Sequence, residues 1–197
     1  MISTGRKIVA IASSTGGPKA LQSLIPLIPS NLNAPVVLVQ HMPAGFTRAL
    51  ASRLNDLSSL AIKEAEEHDR LEPGHLYLAA GGKHMNVIRG ATGGHVIHYT
   101  DEPNREGVKP SANYMFESLM DSGYDEVICV VLTGMGADGT EGIKALHKVK
   151  KTTILVQNEE TCTVYGMPKA VVREGLANLE LDLESLAREI IKNVGVF

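Results

Sequence analysis

Four short β-branched runs, Lys7–Ile11, Val36–Val39, Val127–Leu132 and Thr153–Val156, constrain the fold of this chain more than any other feature. Each is followed by a polar or glycine-rich turn and then by a helical pattern. Strands that alternate with helices in this way pair side by side in one direction, with the helices crossing over the sheet. The expected class is therefore α/β, a doubly wound, mostly parallel sheet with helices on both faces.

The turns sharpen this reading. Pro18, after Gly16-Gly17, suits the start of a helix, where a missing N–H costs nothing, and Ala20, Leu21, Leu24 and Ile25 then mark one apolar face. A strand, a tight turn and a helix are thus contiguous around Ser14. Phe46, Leu50 and Leu54 predict an amphipathic helix, as do Met115, Phe116, Leu119 and Met120 within Ser111–Met120. Leu76–Ala79, His84–Ile88 and His95–Tyr99, separated by Gly81-Gly82-Lys83 and Gly90–Gly94, read as antiparallel hairpin structure inserted into the α/β order. Leu183, Leu186, Ala187, Ile190, Ile191 and Val194 predict a final docking helix, capped by Asp182. No repeat or long linker divides the chain, so residues 7–197 read as one domain and Met1–Arg6 as a linker remnant or an artificial start.

Composition narrows the partners. The 197 residues are 44% hydrophobic and 21% charged, enough for a sizeable core. The net charge of −3 lacks the basic excess that neutralises phosphates, which argues against nucleic acid. The two cysteines, Cys129 and Cys162, build neither a CxxC motif nor a secretory disulfide framework. No window approaches the roughly 18 apolar residues of a membrane span, and the first apolar run is too brief for a signal peptide. These features predict a soluble, cytoplasmic protein without membrane insertion.

Ligands of open parallel sheets gather beyond the carboxyl ends of the strands, where loops converge and helix N-termini point their free N–H groups outward. Three loops lie there: Ser13-Ser14-Thr15-Gly16-Gly17, Gln40-His41-Met42-Pro43 and Thr133-Gly134-Met135-Gly136-Ala137-Asp138-Gly139. They offer a hydroxyl, an imidazole and a carboxylate, the set that activates a serine when a base takes its proton and an acid orients the base. Glycines on both sides of Met135 let its backbone approach a substrate and present an N–H to an oxyanion. Each residue also has a plainer reading: Ser14 as a helix cap, His41 as a hydrogen-bonded structural histidine, Asp138 as a turn or cap aspartate. Residue types and placement leave both readings open.

Other constellations carry less. His95 and His98 would face opposite sides of a strand, which disfavours a metal there, and His68, His75, His84 and His147 share no ligand spacing. No metal or organic cofactor is expected. The Ser13–Gly17 turn matches neither GxGxxG nor GxxxxGK[ST], and the GxSxG elbow is absent. Cys162 is a thiol with no histidine near it in sequence.

In series, Ile11-Ala-Ser-Ser-Thr-Gly-Gly-Pro18, Val39-Gln-His-Met-Pro43, Lys109-Pro-Ser111, Leu132-Thr-Gly-Met-Gly-Ala-Asp-Gly139 and Tyr165-Gly-Met-Pro168 resemble the catalytic domain of the CheB family of protein-glutamate methylesterases, from about Lys7 to the last helix. The resemblance implies removal of methyl groups from glutamate methyl esters on the cytoplasmic helices of methyl-accepting chemotaxis receptors, with deamidation of certain glutamines. It carries the family's triad onto Ser14, His41 and Asp138, and its oxyanion site onto Met135 and Thr15. Ala12-Ser13 stands where the family usually has glycine and a small residue. Full-length relatives usually add an N-terminal receiver domain, so the resemblance implies either an excised catalytic domain or an unregulated relative. Lys19, Arg48, Arg53 and Lys109 are candidates for contacting an acidic receptor. The competing expectation is a non-catalytic α/β module that holds a phosphate or nucleotide at its glycine turns.

Overall fold

The computed structural model describes residues 5–197; the first four residues of the Met1–Arg6 stub lie outside the described residues. Seven parallel strands form the sheet. In chain order they are β1 (Lys7–Ser13), β2 (Val36–Gln40), β3 (Ala61–Glu64), β4 (His75–Leu78), β7 (Glu126–Val131), β8 (Lys151–Gln157) and β9 (Leu179–Leu181). Their spatial order is β3-β4-β2-β1-β7-β8-β9, every pairing parallel. Between β4 and β7 the chain makes the antiparallel ribbon β5 (His84–Arg89) and β6 (His95–Thr100).

The central strands carry unbroken apolar runs, with polar residues only at their ends, because both faces are covered. Val9 and Ile11 of β1 point to one side, into a core with Leu21, Leu24, Leu50, Leu54, Leu186 and Ile190. These come from α1 (Gly17–Leu24), α2 (Phe46–Leu57) and α6 (Leu183–Val194). Ile8, Ala10 and Ala12 point to the other, where α3 (Ala112–Ser118), α4 (Thr140–His147) and α5 (Gly166–Arg173) pack with the ribbon. Asp182 caps α6, its carboxylate accepting from the Ser185 amide at 2.7 Å.

Two expectations need correction. Leu76–Ala79 is not hairpin structure: His75–Leu78 is β4, paired in parallel with both β2 and β3. Turn residues around a strand mark its ends without showing which strand it will join. Phe46 begins α2 but does not pack on the sheet; it is 62% exposed, whereas Leu50 and Leu54 are buried.

The order of strands positions the site. From β1 the chain winds one way through β2 and β4, and from β7 it winds the other way through β8 and β9. Such a reversal opens a crevice at the carboxyl ends of the two central strands. Ser14 and Thr133 leave β1 and β7 on either side of that crevice, joined by a 3.0 Å hydrogen bond from the Ser14 amide to the Thr133 carbonyl.

Candidate active site

Ser14 follows the last residue of β1, and His41 the last of β2; the His41 amide donates to the Ser13 carbonyl at 3.1 Å. Gln40, buried between the two loops, staples them. Its amide nitrogen donates to the Ser14 carbonyl (2.9 Å) and the His41 carbonyl (3.3 Å), while its oxygen accepts from Ser13 Oγ (2.6 Å). Gly17 allows this approach, since a Cβ there would lie 1.9 Å from Gln40 Oε1.

The third loop is held as firmly. Thr133 donates its amide to Gln157 Oε1 (2.9 Å) and its hydroxyl to the Thr15 carbonyl (2.9 Å). Gly134 lies so close to Ser14 that an added Cβ would be 2.8 Å from Ser14 Cβ and 2.3 Å from Met167 Sδ. Met135 projects outward from this loop, 68% exposed. The amides of Thr15 and Met135 have no hydrogen-bond partner among the described residues.

The structure brings His41 and Asp138 together: His41 Nε2 lies 2.6 Å from Asp138 Oδ2. In the neutral ring Nε2 then carries the proton and Nδ1 keeps its lone pair. This is the reverse of the serine-protease arrangement, in which Nδ1 faces the acid. Asp138 is buried and accepts three further hydrogen bonds: Ser111 Oγ (2.7 Å) and the Asn113 amide (3.1 Å) on Oδ1, and the Ala112 amide (2.6 Å) on Oδ2. Burial alone would push its pKa up, but the bonds from His41, Ser111 and Ala112 outweigh that and hold the carboxyl below its ordinary value. It is an ionised carboxylate at neutral pH, inside the protein, aimed at an imidazole.

The N-cap of α1 is Gly16, at φ 81°, without a side-chain cap; Ser14 Oγ has no hydrogen-bond partner among the described residues. His41 is hydrogen-bonded, but to the acid. Asp138 does not cap α4, whose N-cap is Gly139; it takes the first amides of α3 instead.

The remaining candidates lie apart. His95 is buried against Tyr124 while His98 meets Glu67 at the surface, so the two imidazoles do face opposite ways. Burial pushes the Cys162 thiol up to about 11. Lys19, Arg48 and Arg53 are exposed, whereas Lys109 is half-buried and paired with Asp101 at 2.6 Å. A hollow of about 100 Å³ beside Ser14's loop, lined in part by Gly16, Lys19 and Thr133, is well below the roughly 300 Å³ and upward of small-molecule pockets. Gln40, Ser111 and Asn113 were not singled out as site residues from the sequence. Gln40 and Ser111 do lie within motifs quoted for the resemblance.

Among the described residues no helix is long and apolar enough to cross a membrane. Residues 9–190 match the family model described as CheB methylesterase. A Bacillus subtilis protein-glutamate methylesterase/protein-glutamine glutaminase is 47% identical over 95% of this chain and 52% of its own length. A Vibrio cholerae protein of the same name is 45% identical over 98% of this chain and 51% of its own. The chain therefore spans about half the length of these curated relatives. The crystal structure of the Thermotoga maritima CheB methylesterase catalytic domain superposes with a TM-score of 0.91 at 38% identity, covering 96% of this chain and 99% of that one.

Proposed function

As this chain belongs to the CheB methylesterase family, we propose that it is a serine hydrolase that demethylates glutamate methyl esters and deamidates glutamines on the cytoplasmic helices of chemotaxis receptors. Ser14 Oγ attacks the side-chain ester carbonyl while His41 Nδ1 takes its proton; Asp138 stabilises the imidazolium through Nε2. The unpaired amides of Thr15 and Met135 receive the oxyanion. Collapse expels methoxide, which leaves as methanol with the proton from His41. Water then loses a proton to His41 and attacks the acyl-enzyme, releasing glutamate and restoring Ser14. With a glutamine substrate the same steps release ammonia. The steps use only groups of this chain and water, and the place of action is the cytoplasm, where those helices lie.

The observation that carries this reading is the 2.6 Å contact between His41 and an ionised, buried Asp138, beside a serine whose hydroxyl caps nothing. The open rim, with Met135 and Phe46 exposed, suits a macromolecular substrate better than a small one. Methanol release from methylated receptor is the decisive measurement, together with labelling of Ser14 by a serine-directed organophosphate. No methanol and no labelling, with thermal stabilisation by nucleotides, would move the assignment to a phosphate-binding module.

A further inference from the structure

We propose that Ser111 is a positioning residue of this hydrolase: with its main chain anchored by His84, its hydroxyl holds the Asp138 carboxylate in the orientation that presents Oδ2 to His41. The inference rests on the reading just given and adds a residue to its machinery. Asp138 has two oxygens and four donors, divided two and two. Oδ2 takes His41 Nε2 and the Ala112 amide; Oδ1 takes Ser111 Oγ at 2.7 Å and the Asn113 amide at 3.1 Å. Of the bonds to Oδ1 the hydroxyl's is the shorter, so it does more to fix the rotation of the carboxylate about Cβ–Cγ.

Ser111 stands at the N-cap of α3, where a serine ordinarily turns its oxygen onto its own helix, yet it makes no such cap. Asp138 takes the Ala112 and Asn113 amides instead, and the serine hydroxyl is spent on Asp138. The exchange makes sense if what is being held is the carboxylate. Ser111 is itself fully buried, and its amide donates to His84 Nδ1 at 3.1 Å. His84 Nε2 donates to the Pro103 carbonyl at 3.1 Å, and the ring packs on Tyr114 with centroids 4.5 Å apart. Both ring nitrogens are thereby committed, so a neutral His84 fixes the height of Ser111. The ribbon that carries His84 on β5, which holds none of the triad, thus supports the acid of the site.

A double-mutant cycle on Ser111→Ala and Asp138→Asn tests this, read as methanol release from methylated receptor across pH. Ser111→Ala is expected to lower kcat about tenfold with KM within about twofold, the signature of a contact that matters in the transition state. Losing a donor makes the carboxylate more basic and the imidazolium more stable, so the acid limb of kcat/KM should move up by about half a pH unit. In the Asp138→Asn background the same change should cost less than about twofold, because there is no carboxylate left to position. A second readout needs no turnover: the proton between His41 Nε2 and Asp138 is expected to give a downfield NMR signal that survives Ser14→Ala and broadens or vanishes in Ser111→Ala. If Ser111→Ala fails to fold, Ser111→Cys, with a weaker donor, should fall between wild type and the losses stated. An unmoved acid limb and NMR signal, or strictly additive losses, would overturn the role of Ser111. A wild type that releases no methanol would instead sink the esterase reading, and the NMR signal would still judge Ser111.

Discussion

Ser14 and Asp138 are the two ends of the proposed Ser14–His41–Asp138 line, and the fold treats them in opposite ways. The Asp138 carboxylate is buried and accepts four hydrogen bonds, from one imidazole, one hydroxyl and two backbone amides. The Ser14 hydroxyl is half-buried and accepts none among the described residues, although its backbone is pinned on both sides by Thr133 and Gln40. A fixed, ionised carboxylate is what the proposed role of Asp138 requires, since orientation and charge are what an orienting acid contributes. Ser14 is fixed only in its main chain, which suits the proposed nucleophile, whose oxygen would exchange partners during the reaction.

The largest effect expected from this contrast is at the free end. Ser14→Ala removes the attacking oxygen and should lower methanol release by at least about 10⁴-fold. Since that oxygen has no hydrogen-bond partner among the described residues, the same protein should keep its stability within about 0.5 kcal/mol in a urea melt. A Ser14→Ala protein that turns over like wild type would end the assignment, and one that unfolds would show that the hydroxyl has a structural partner.

At the fixed end both quantities should fall together. Asp138→Asn keeps the volume but replaces one acceptor by an NH2 group, which must face either the His41 and Ala112 donors or the Ser111 and Asn113 donors. In the first case His41 takes the wrong tautomer; in the second a backbone N–H faces another donor. Activity should drop about 10⁴-fold, with about 1–3 kcal/mol of stability lost to a buried unsatisfied group. An Asp138→Asn protein as stable as wild type would say that the cradle around the carboxylate is slack.

How much of this arrangement was legible in the sequence differs along the same line. The strands that carry Ser14, His41 and the Asp138 loop contain unbroken apolar runs, the trace that a doubly covered strand leaves. Edge strands β3 and β9 are short and partly exposed, so Ala61–Glu64 and Leu179–Leu181 leave no such trace. Helices α4 and α5 span eight residues each, α4 with Gly142 packed directly on Asn113 and α5 opening on Gly166 and Pro168, which reads locally as loop. Residue type and loop position offer a hydroxyl, an imidazole and a carboxylate but leave their plainer readings open, and it is the family resemblance that carries a triad onto Ser14, His41 and Asp138. What they could not show was the support: Ser111 reaches Asp138 across 27 residues and Gln40 reaches Ser14 across 26, and such contacts exist only once the sheet has assembled.

A subtler effect concerns pH. The Asp138 carboxyl is held below its ordinary value in the folded protein, so it binds its proton less readily there than in the unfolded chain. For a depressed carboxyl the stabilisation is fully present above the unfolded pKa of roughly 4 and is lost as pH falls through the folded value. Below about pH 4 the stability difference between wild type and Asp138→Asn should thus shrink as the carboxyl takes up its proton. A difference that widened below about pH 4 would mean that burial, which opposes the hydrogen bonds, is the stronger influence.

The smallest effect expected is at a thiol near the crevice, and it sharpens the contrast from outside the line. Cys162 is half-buried, its thiol contacts the Gln157 carbonyl at 3.8 Å, and burial pushes its pKa up to about 11. A thiol reacts as its thiolate, so at pH 8 only about one part in a thousand is reactive, and no imidazole is hydrogen-bonded to it. Cys162→Ser should therefore leave methanol release within about twofold of wild type, and iodoacetamide at pH 8 should alkylate the native protein far more slowly than the urea-unfolded one. Cys129, wholly buried, should react only on unfolding. If alkylation of Cys162 were fast and abolished activity while Ser14→Ala retained it, the free hydroxyl at the end of β1 would not be the nucleophile. If alkylation were slow and Cys162→Ser silent, the chemistry would stay with the one crevice nucleophile that has a histidine and an ionised acid beside it.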